Sequence, residues 1–304
     1  MKKYLFIINP VSGKGRGKEF LPEIENYLKT GNIPHKIKLT EYPNHATEIV
    51  AEEQSEYGFI ISVGGDGTLN EIVNGIDPSL DTIIGEIPLG SGNDFAHNLG
   101  IPDDIKTCLK LITGSGKQYK LCDVWNLEYT NNGSEIIKKR FINNFGLGFD
   151  AQVAYINQHK KIGSGIISYL IAVLRGLMDY RFVDYTLIFN NTRIEGEKVL
   201  LTLGNGVSSG GGFYLTPNAK VDDNLIDITT LDCLGRINLL TKLPLALLNK
   251  VEKIKQANFY KSTGVEVYLK DKAYIHTDGE ATFINTDKIT VKILEEKLKF
   301  ITNL

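Results

Sequence analysis

Apolar residues fall into two rhythms along this chain. Up to Cys122, strand-length runs alternate with stretches of helical spacing. Tyr4 to Ile8, His35 to Thr40, Phe59 to Val63 and Thr82 to Ile87 are rich in apolar or β-branched residues. Between them, Phe20 to Leu28, Leu69 to Ile76 and Asp104 to Thr113 repeat their apolar positions at helical intervals. Such alternation predicts a parallel sheet with helices packed on it. Beyond Cys122, short runs follow one another with turn residues between them: Val124 to Tyr129, Arg140 to Asn144, Tyr185 to Asn190, Glu197 to Gly204, Leu225 to Leu231, Gly264 to Leu269, Ala273 to Thr277 and Lys288 to Ile293. They predict an antiparallel sandwich or barrel. Two helices are expected within it, Gly165 to Asp179 and Ile237 to Ile254, and a hairpin loop at Asn131-Asn132-Gly133-Ser134.

The expected organisation is therefore two domains: a Rossmann-like α/β domain over residues 1–122 and an antiparallel β-sandwich domain over 123–293. The tail 294–304 is a candidate to pack back on the first. A length of 304 residues agrees with two cores rather than one. With 42% hydrophobic and 23% charged residues the composition is that of a globular protein, and a net charge of −2 gives no reason to expect a nucleic-acid partner. The three cysteines, Cys108, Cys122 and Cys233, have neither CxxC nor zinc-ligand spacing, so reduced thiols and a cytoplasmic location are expected. The opening run ends at Asn9-Pro10, too soon for a leader, and predicts a buried strand. The longest apolar run, Ile166 to Leu174, is too short to span a bilayer, so any membrane role would be peripheral, at the inner surface.

The chemistry concentrates at three glycine turns. Phe59 to Val63 leads into Gly64-Gly65-Asp66-Gly67-Thr68, and then into Leu69-Asn70-Glu71 and the apolar stripe Leu69, Ile72, Val73, Ile76. Thr68 and Glu71 have capping-box spacing, which predicts a helix starting at Thr68. Strand, glycine turn and helix N-terminus in this order present backbone N–H groups to an anion. Asp66 beside a polyphosphate calls for a metal or ribose hydroxyls between them, and Mg²⁺, bound directly or through water, is the economical choice. One such turn alone is as easily scaffolding. Two more strengthen it: Asn9-Pro10-Val11-Ser12-Gly13, which continues through Lys14, Arg16 and Lys18 and is not a Walker A loop, and Pro88-Leu89-Gly90-Ser91-Gly92-Asn93-Asp94.

With these residues in hand, the chain resembles the soluble bacterial diacylglycerol-kinase-like lipid kinases, to which sphingosine kinases are related at greater distance. Asn9 to Gly13, Gly64 to Glu71 and Gly90 to Ala96 carry the likeness in the first half. Asn205-Gly206, Gly210 to Gly212, Pro217 to Ala219, Asp222 to Leu225 and Asp278-Gly279-Glu280 carry it in the second. The GGDGT element alone is shared with NAD kinases and phosphofructokinases. The resemblance implies ATP contacts from Asn9, Pro10, Val11, Ser12, Gly13, Thr40, Gly64, Gly65, Asp66, Gly67, Thr68, Leu69, Asn70, Glu71 and Ser91. It implies Asp66, Asp94 and Asp123 arranged around the nucleotide Mg²⁺, and ATP and lipid meeting between the two domains. It makes Glu280 the base that takes the hydroxyl proton. It also implies a structural Mg²⁺ on the Asp223 carboxylate and the carbonyls of Lys220 and Leu225. Asn224 stands there where the family usually has Gly; Asn is the next-best residue for a left-handed turn.

The expected activity is ATP- and Mg²⁺-dependent phosphorylation of a lipid hydroxyl, diacylglycerol first, with a lipid surface as partner. A sphingoid base or NAD as acceptor, a non-catalytic nucleotide- or lipid-binding regulator, and a homodimer all stay open at this point. Lys160-Lys161-Ile162-Gly163 and the apolar helix after it are read as a core-packing element before a bilayer contact. His276 is read as a strand residue.

Overall fold

The computed structural model describes residues 3–133, 135–159 and 165–304. Ser134 of the expected hairpin loop and the segment Lys160-Lys161-Ile162-Gly163 lie outside the described residues. The chain divides into two compact units. One runs to Val124 and takes in Glu295–Leu304; the other is Trp125–Leu294.

In the first unit, β1 (Tyr4–Ile8), α1 (Ser12–Thr30), β2 (His35–Leu39), α2 (His45–Glu53), β3 (Phe59–Gly64), α3 (Asp66–Gly75), β4 (Ile83–Pro88), α4 (Asp94–Asn98), α5 (Ile105–Thr113) and β5 (Gln118–Cys122) follow in order. The sheet order is β2-β1-β3-β4, then the C-terminal strand Leu298–Thr302, then β5. β1 to β4 are mutually parallel, the C-terminal strand is parallel to β4, and β5 is antiparallel to it. Every residue of β1, β3 and β4 is buried, as a parallel sheet covered on both faces requires. That is why these strands read as unbroken apolar runs. β2 is the edge strand and stays half-exposed; Lys36 and Lys38 each pair with Glu53 at 2.8 Å.

The second unit is an eleven-stranded antiparallel sheet with helices packed on it. Its elements are β6 (Trp125–Asn131), β7 (Glu135–Phe141), β8 (Asn144–Gly148), α6 (Phe149–His159), α7 (Gly165–Met178), β9 (Val183–Phe189), β10 (Thr192–Gly204), β11 (Ile226–Asp232), α8 (Arg236–Leu247), β12 (Ala257–Ser262), β13 (Gly264–Leu269), β14 (Ala273–Thr277), β15 (Glu280–Ile284) and β16 (Lys288–Ile293). One apolar cluster, with Trp125, Phe145, Tyr185 and Leu201, fills the sheet interior. A second, with Phe149, Tyr169, Val173, Leu231 and Leu239, joins α6, α7 and α8 to the sheet. The two-domain α/β plus antiparallel β class expected from the sequence is the observed one.

Three local expectations are corrected. The predicted run Arg140 to Asn144 straddles a break: β7 ends at Phe141 and β8 starts at Asn144, because the amides of residues 142–144 turn to the Asp278 carboxylate. The helix predicted to reach Ile254 stops at Leu247; Pro244 lies in its last turn, and Asn249 takes a left-handed φ of 53° just beyond it. The third concerns the start of α3.

Candidate functional site

Helix α3 begins at Asp66, not Thr68, with Gly65 as its N-cap in extended conformation. The capping box does not form. Thr68 Oγ1 instead accepts from Asn9 Nδ2 at 3.2 Å, and the Glu71 carboxylate accepts from the Ala46 amide at 3.1 Å, capping α2. The N-cap residue, Gly65, has no side chain with which to cap the first turn of α3. The box spacing was real, but a neighbouring helix end was the better partner for Glu71.

The three glycine turns lock together at the carboxyl edge of the parallel strands. Gly65 and Gly90 pack backbone to backbone: a Cβ on Gly65 would lie 2.8 Å from Gly90 Cα, and one on Gly90 2.6 Å from Gly65 Cα. The Leu89 amide donates to Gly64 O at 2.6 Å. A Cβ on Gly13 would strike Leu89 O. Gly13, Lys14 and Gly15 are all left-handed (φ 58°, 65° and 94°), so α1 becomes regular only from Arg16. Gly67 differs from its neighbours: a Cβ there would meet nothing within 4 Å. The fold does not demand glycine at 67, whereas it does at 65. Asn9, Gly13, Gly64 to Asn70 and Ser91 thus belong to one cradle, and Thr40 joins its edge through its amide bond to Ile8 O at 2.9 Å.

Asp66 is the strut between two of the turns. Its carboxylate accepts from the amides of Asn93 at 2.8 Å and Phe95 at 3.3 Å, holding α4 against α3. Asp94, the first residue of α4, is buried and lies between Asn93 and Phe95, whose amides reach Asp66. Asp123 follows β5 directly, where Cys122 pairs with Leu298 of the C-terminal strand. It is fully buried, and Lys297 Nζ pairs with it at 2.8 Å.

Sequence reasoning missed Glu86. It lies on β4, paired with Ser62 on β3, at 2% exposure, and among the described residues neither the Glu86 carboxyl nor Ser62 Oγ has a hydrogen-bond partner. Burial, and then the charge of Asp66, push its carboxyl well above the usual range. The signal was a single acid inside the apolar run Ile83-Ile84-Gly85-Glu86-Ile87.

In the second unit, Asp278-Gly279 forms a two-residue hairpin turn between β14 and β15 with φ of 47° and 86°, a geometry that Asp-Gly suits. The buried Asp278 carboxylate takes the amides of Ile142, Asn143 and Asn144 at 2.9–3.0 Å. Glu280 opens β15, half-exposed, with Lys139 Nζ 3.8 Å away. His276 is buried in β14 with Nε2 3.6 Å from Asp150, whose Oδ2 accepts from Thr202 Oγ1 at 2.8 Å. Gly146 leaves the room for this cluster, since a Cβ there would strike both His276 and Asp150. Asp150 was not anticipated from the sequence. It also borders an apolar cavity between α7, α8 and the sheet.

At the third site, Asn224 adopts φ 62°, the left-handed conformation its position requires. Asp223 accepts from the Leu225 amide at 3.1 Å and pairs with Lys261 Nζ at 3.3 Å, which also reaches Asp227 at 3.0 Å. Burial raises the Asp227 carboxyl, against the pull of Lys261. Two carboxylates against one ammonium leave the turn net negative, and this oxygen-rich donor set fits a hard cation such as Mg²⁺.

The fold and the site define a class: a parallel α/β unit with a phosphate-type cradle, joined to an antiparallel β unit with an apolar cavity. Residues 3–124 match the diacylglycerol kinase catalytic domain, and residues 144–299 match the YegS C-terminal NAD kinase beta sandwich-like domain. A diacylglycerol kinase of Staphylococcus epidermidis is 30% identical, over 94% of this chain and 90% of that protein. A crystal structure of a diacylglycerol kinase from Bacillus anthracis shares the fold with a TM-score of 0.73 at 24% identity, covering 99% of this chain and 97% of the other. An NAD kinase from Archaeoglobus fulgidus, solved in complex with ATP, shares the fold more distantly, with a TM-score of 0.55 at 16% identity over 100% of this chain and 94% of that one. The chain belongs to the diacylglycerol kinase-like family.

Proposed function

We propose that this protein is an ATP- and Mg²⁺-dependent lipid kinase that transfers the γ-phosphoryl group of ATP to a lipid hydroxyl, with diacylglycerol as acceptor and phosphatidic acid as product. The observation that carries the reading is the cradle: three glycine turns locked together around a helix start whose N-cap, Gly65, brings no side chain. Such a start offers N–H donors and the positive end of a helix dipole to a polyphosphate. Asn9 to Gly13 and Gly64 to Asn70 would hold the nucleotide, with Thr40 and Ser91 at its rim. The ATP held by the distant NAD kinase of the same fold supports this choice of nucleotide.

Mg²⁺ bound with the nucleotide would neutralise charge on the transferred group. Asp66, Asp94 and Asp123 are the acids assigned to it, through its water shell where Asp66 is already bonded to amides and with Lys297 beside Asp123. A structural Mg²⁺ is assigned to Asp223 with the carbonyls of Lys220 and Leu225.

Glu280 would accept the proton of the acceptor hydroxyl as its oxygen bonds to the γ-phosphorus and the bond to the β-phosphate oxygen breaks, releasing ADP. Its half-exposed position on a rigid hairpin suits a base that must meet an incoming substrate. The apolar cavity of the second unit supports a lipid acceptor over NAD, because its lining has few polar groups, among them Asp150, Thr229 and Lys242. Labelled ATP with a panel of diacylglycerol, sphingoid base and NAD tests the reading. Labelled phosphatidic acid is expected; a labelled NADP product with no lipid product would overturn it.

A further inference from the structure

Among the described residues no helix is long and apolar enough to cross a membrane. Yet α7 and α8 are apolar on the side they turn outward as well as on the side they bury. On α7, Ser168, Tyr169, Ala172, Val173 and Leu177 are buried, while Ile167, Ile171, Leu174 and Met178 form a second stripe at i, i+4, i+7 and i+11. Ile167, Leu174 and Met178 are 64%, 54% and 78% exposed. On α8, Leu239 and Ala246 are buried, while Ile237 (79% exposed), Leu240, Pro244 and, just past the helix, Leu248 face out. Exposed apolar side chains scattered singly need no explanation, but helical stripes of them do.

Charge selects the occupant. Neither α7 nor α8 contains an acidic residue, whereas Arg236 and Lys242 lie on α8 and Lys250, Lys253 and Lys255 follow it. The nearest acids in the chain are Asp179, which pairs with Arg181, Asp232, which pairs with Lys198, and Glu252, which accepts from Asn218. A second copy of the chain docking by the same face would set these cations against themselves. An anionic bilayer satisfies both features, taking apolar side chains below its headgroups and cations among them. The same helices also wall the apolar cavity, which Tyr169, Val173, Leu239 and Ala246 on their inner sides line.

We propose that the outward faces of α7 and α8 form a docking surface for an anionic lipid bilayer, from which the acceptor lipid is drawn. The inference rests on the lipid-kinase reading for its purpose, but its test does not need turnover. The full-length protein is sedimented with vesicles of phosphatidylcholine alone and of phosphatidylcholine with phosphatidylglycerol in equal parts. Binding is expected to the anionic vesicles and to weaken at high salt. The triple variant Leu174→Ser, Met178→Ser, Ile237→Ser should keep its melting temperature, because all three side chains are exposed, and should lose vesicle affinity by roughly tenfold or more. Met178→Trp supplies a second readout. The native Trp125 is fully buried, so a blue shift of emission on adding anionic vesicles would report entry of position 178 into the interface.

Wild-type protein that ignores anionic vesicles, or a triple variant that binds them as tightly as wild type, would overturn the proposal. So would a concentration-dependent dimer that the triple variant abolishes, since that assigns the face to a second copy. Phosphorylation of detergent-dispersed diacylglycerol separates the two ideas. If it persists while vesicle binding fails, only the docking surface is lost; if vesicle binding holds while no lipid is phosphorylated, only the kinase reading is lost.

Discussion

The two units solve recognition with different materials. The first builds its cradle from backbone: glycines that let Gly65 and Gly90 touch, left-handed residues at Gly13 to Gly15, and amides tied to Asp66. The second builds its cavity from side-chain surface, with residues from α6, α7, α8 and the sheet meeting around empty space. A backbone site needs particular residues at particular positions and so leaves a motif. A side-chain cavity needs only shape and apolarity, which many residue sets supply.

The largest test of this contrast separates chemistry from binding. Glu280→Ala should lower turnover by about 10²–10⁴-fold while leaving ATP affinity, measured calorimetrically, near wild type. Unchanged turnover would remove Glu280 from the chemistry and return the second unit to a purely binding role.

Next comes a pair of substitutions two residues apart. Gly65→Ala must push against Gly90 and should cost about 1–3 kcal/mol of stability, lowering the melting temperature. Gly67→Ala meets open space, so it should melt as wild type and yet weaken ATP binding several-fold. If Gly67→Ala binds ATP normally, the space above Gly67 does not receive the phosphates.

A third substitution probes the other kind of site. Ala246→Phe fills the cavity from α8 and should raise the KM for long-chain diacylglycerol while sparing both a short-chain analogue and ATP affinity. An equal loss for both chain lengths would place the acyl chains elsewhere; a lowered melting temperature calls for Val173→Phe as a second wall.

The smallest effect concerns Glu86. Its carboxyl titrates higher in the folded chain than in the unfolded one, so the unfolded chain gives up its proton first as pH rises. Stability from this group is fully present below the ordinary carboxylate range and declines above it until the raised folded value is passed. Glu86→Gln removes that decline, so its melting temperature should gain on wild type by a few degrees from acid to neutral pH. Parallel pH profiles for the two proteins would show that Glu86 does not hold its proton.

The sequence by itself determined the parts that depend on local chemistry. Buried parallel strands must be apolar throughout, so Phe59 to Val63 and Thr82 to Ile87 were legible as strands. Close backbone approach demands glycine, so the three turns were legible as one kind of feature. Asp-Gly at 278–279 announced its hairpin, and Asn224 its left-handed turn. Tertiary structure alone decided what depends on partners distant along the chain. It gave Glu71 to the start of α2 rather than to Thr68. It set Asp123 against Lys297, because β5 pairs with a strand that the chain reaches only at Leu298. It brought Asp150 to His276 over Gly146, and it turned an apolar stripe of α7 outward although an equally apolar one packs inward. Periodicity tells that a face is apolar; only the surrounding fold decides whether that face is covered.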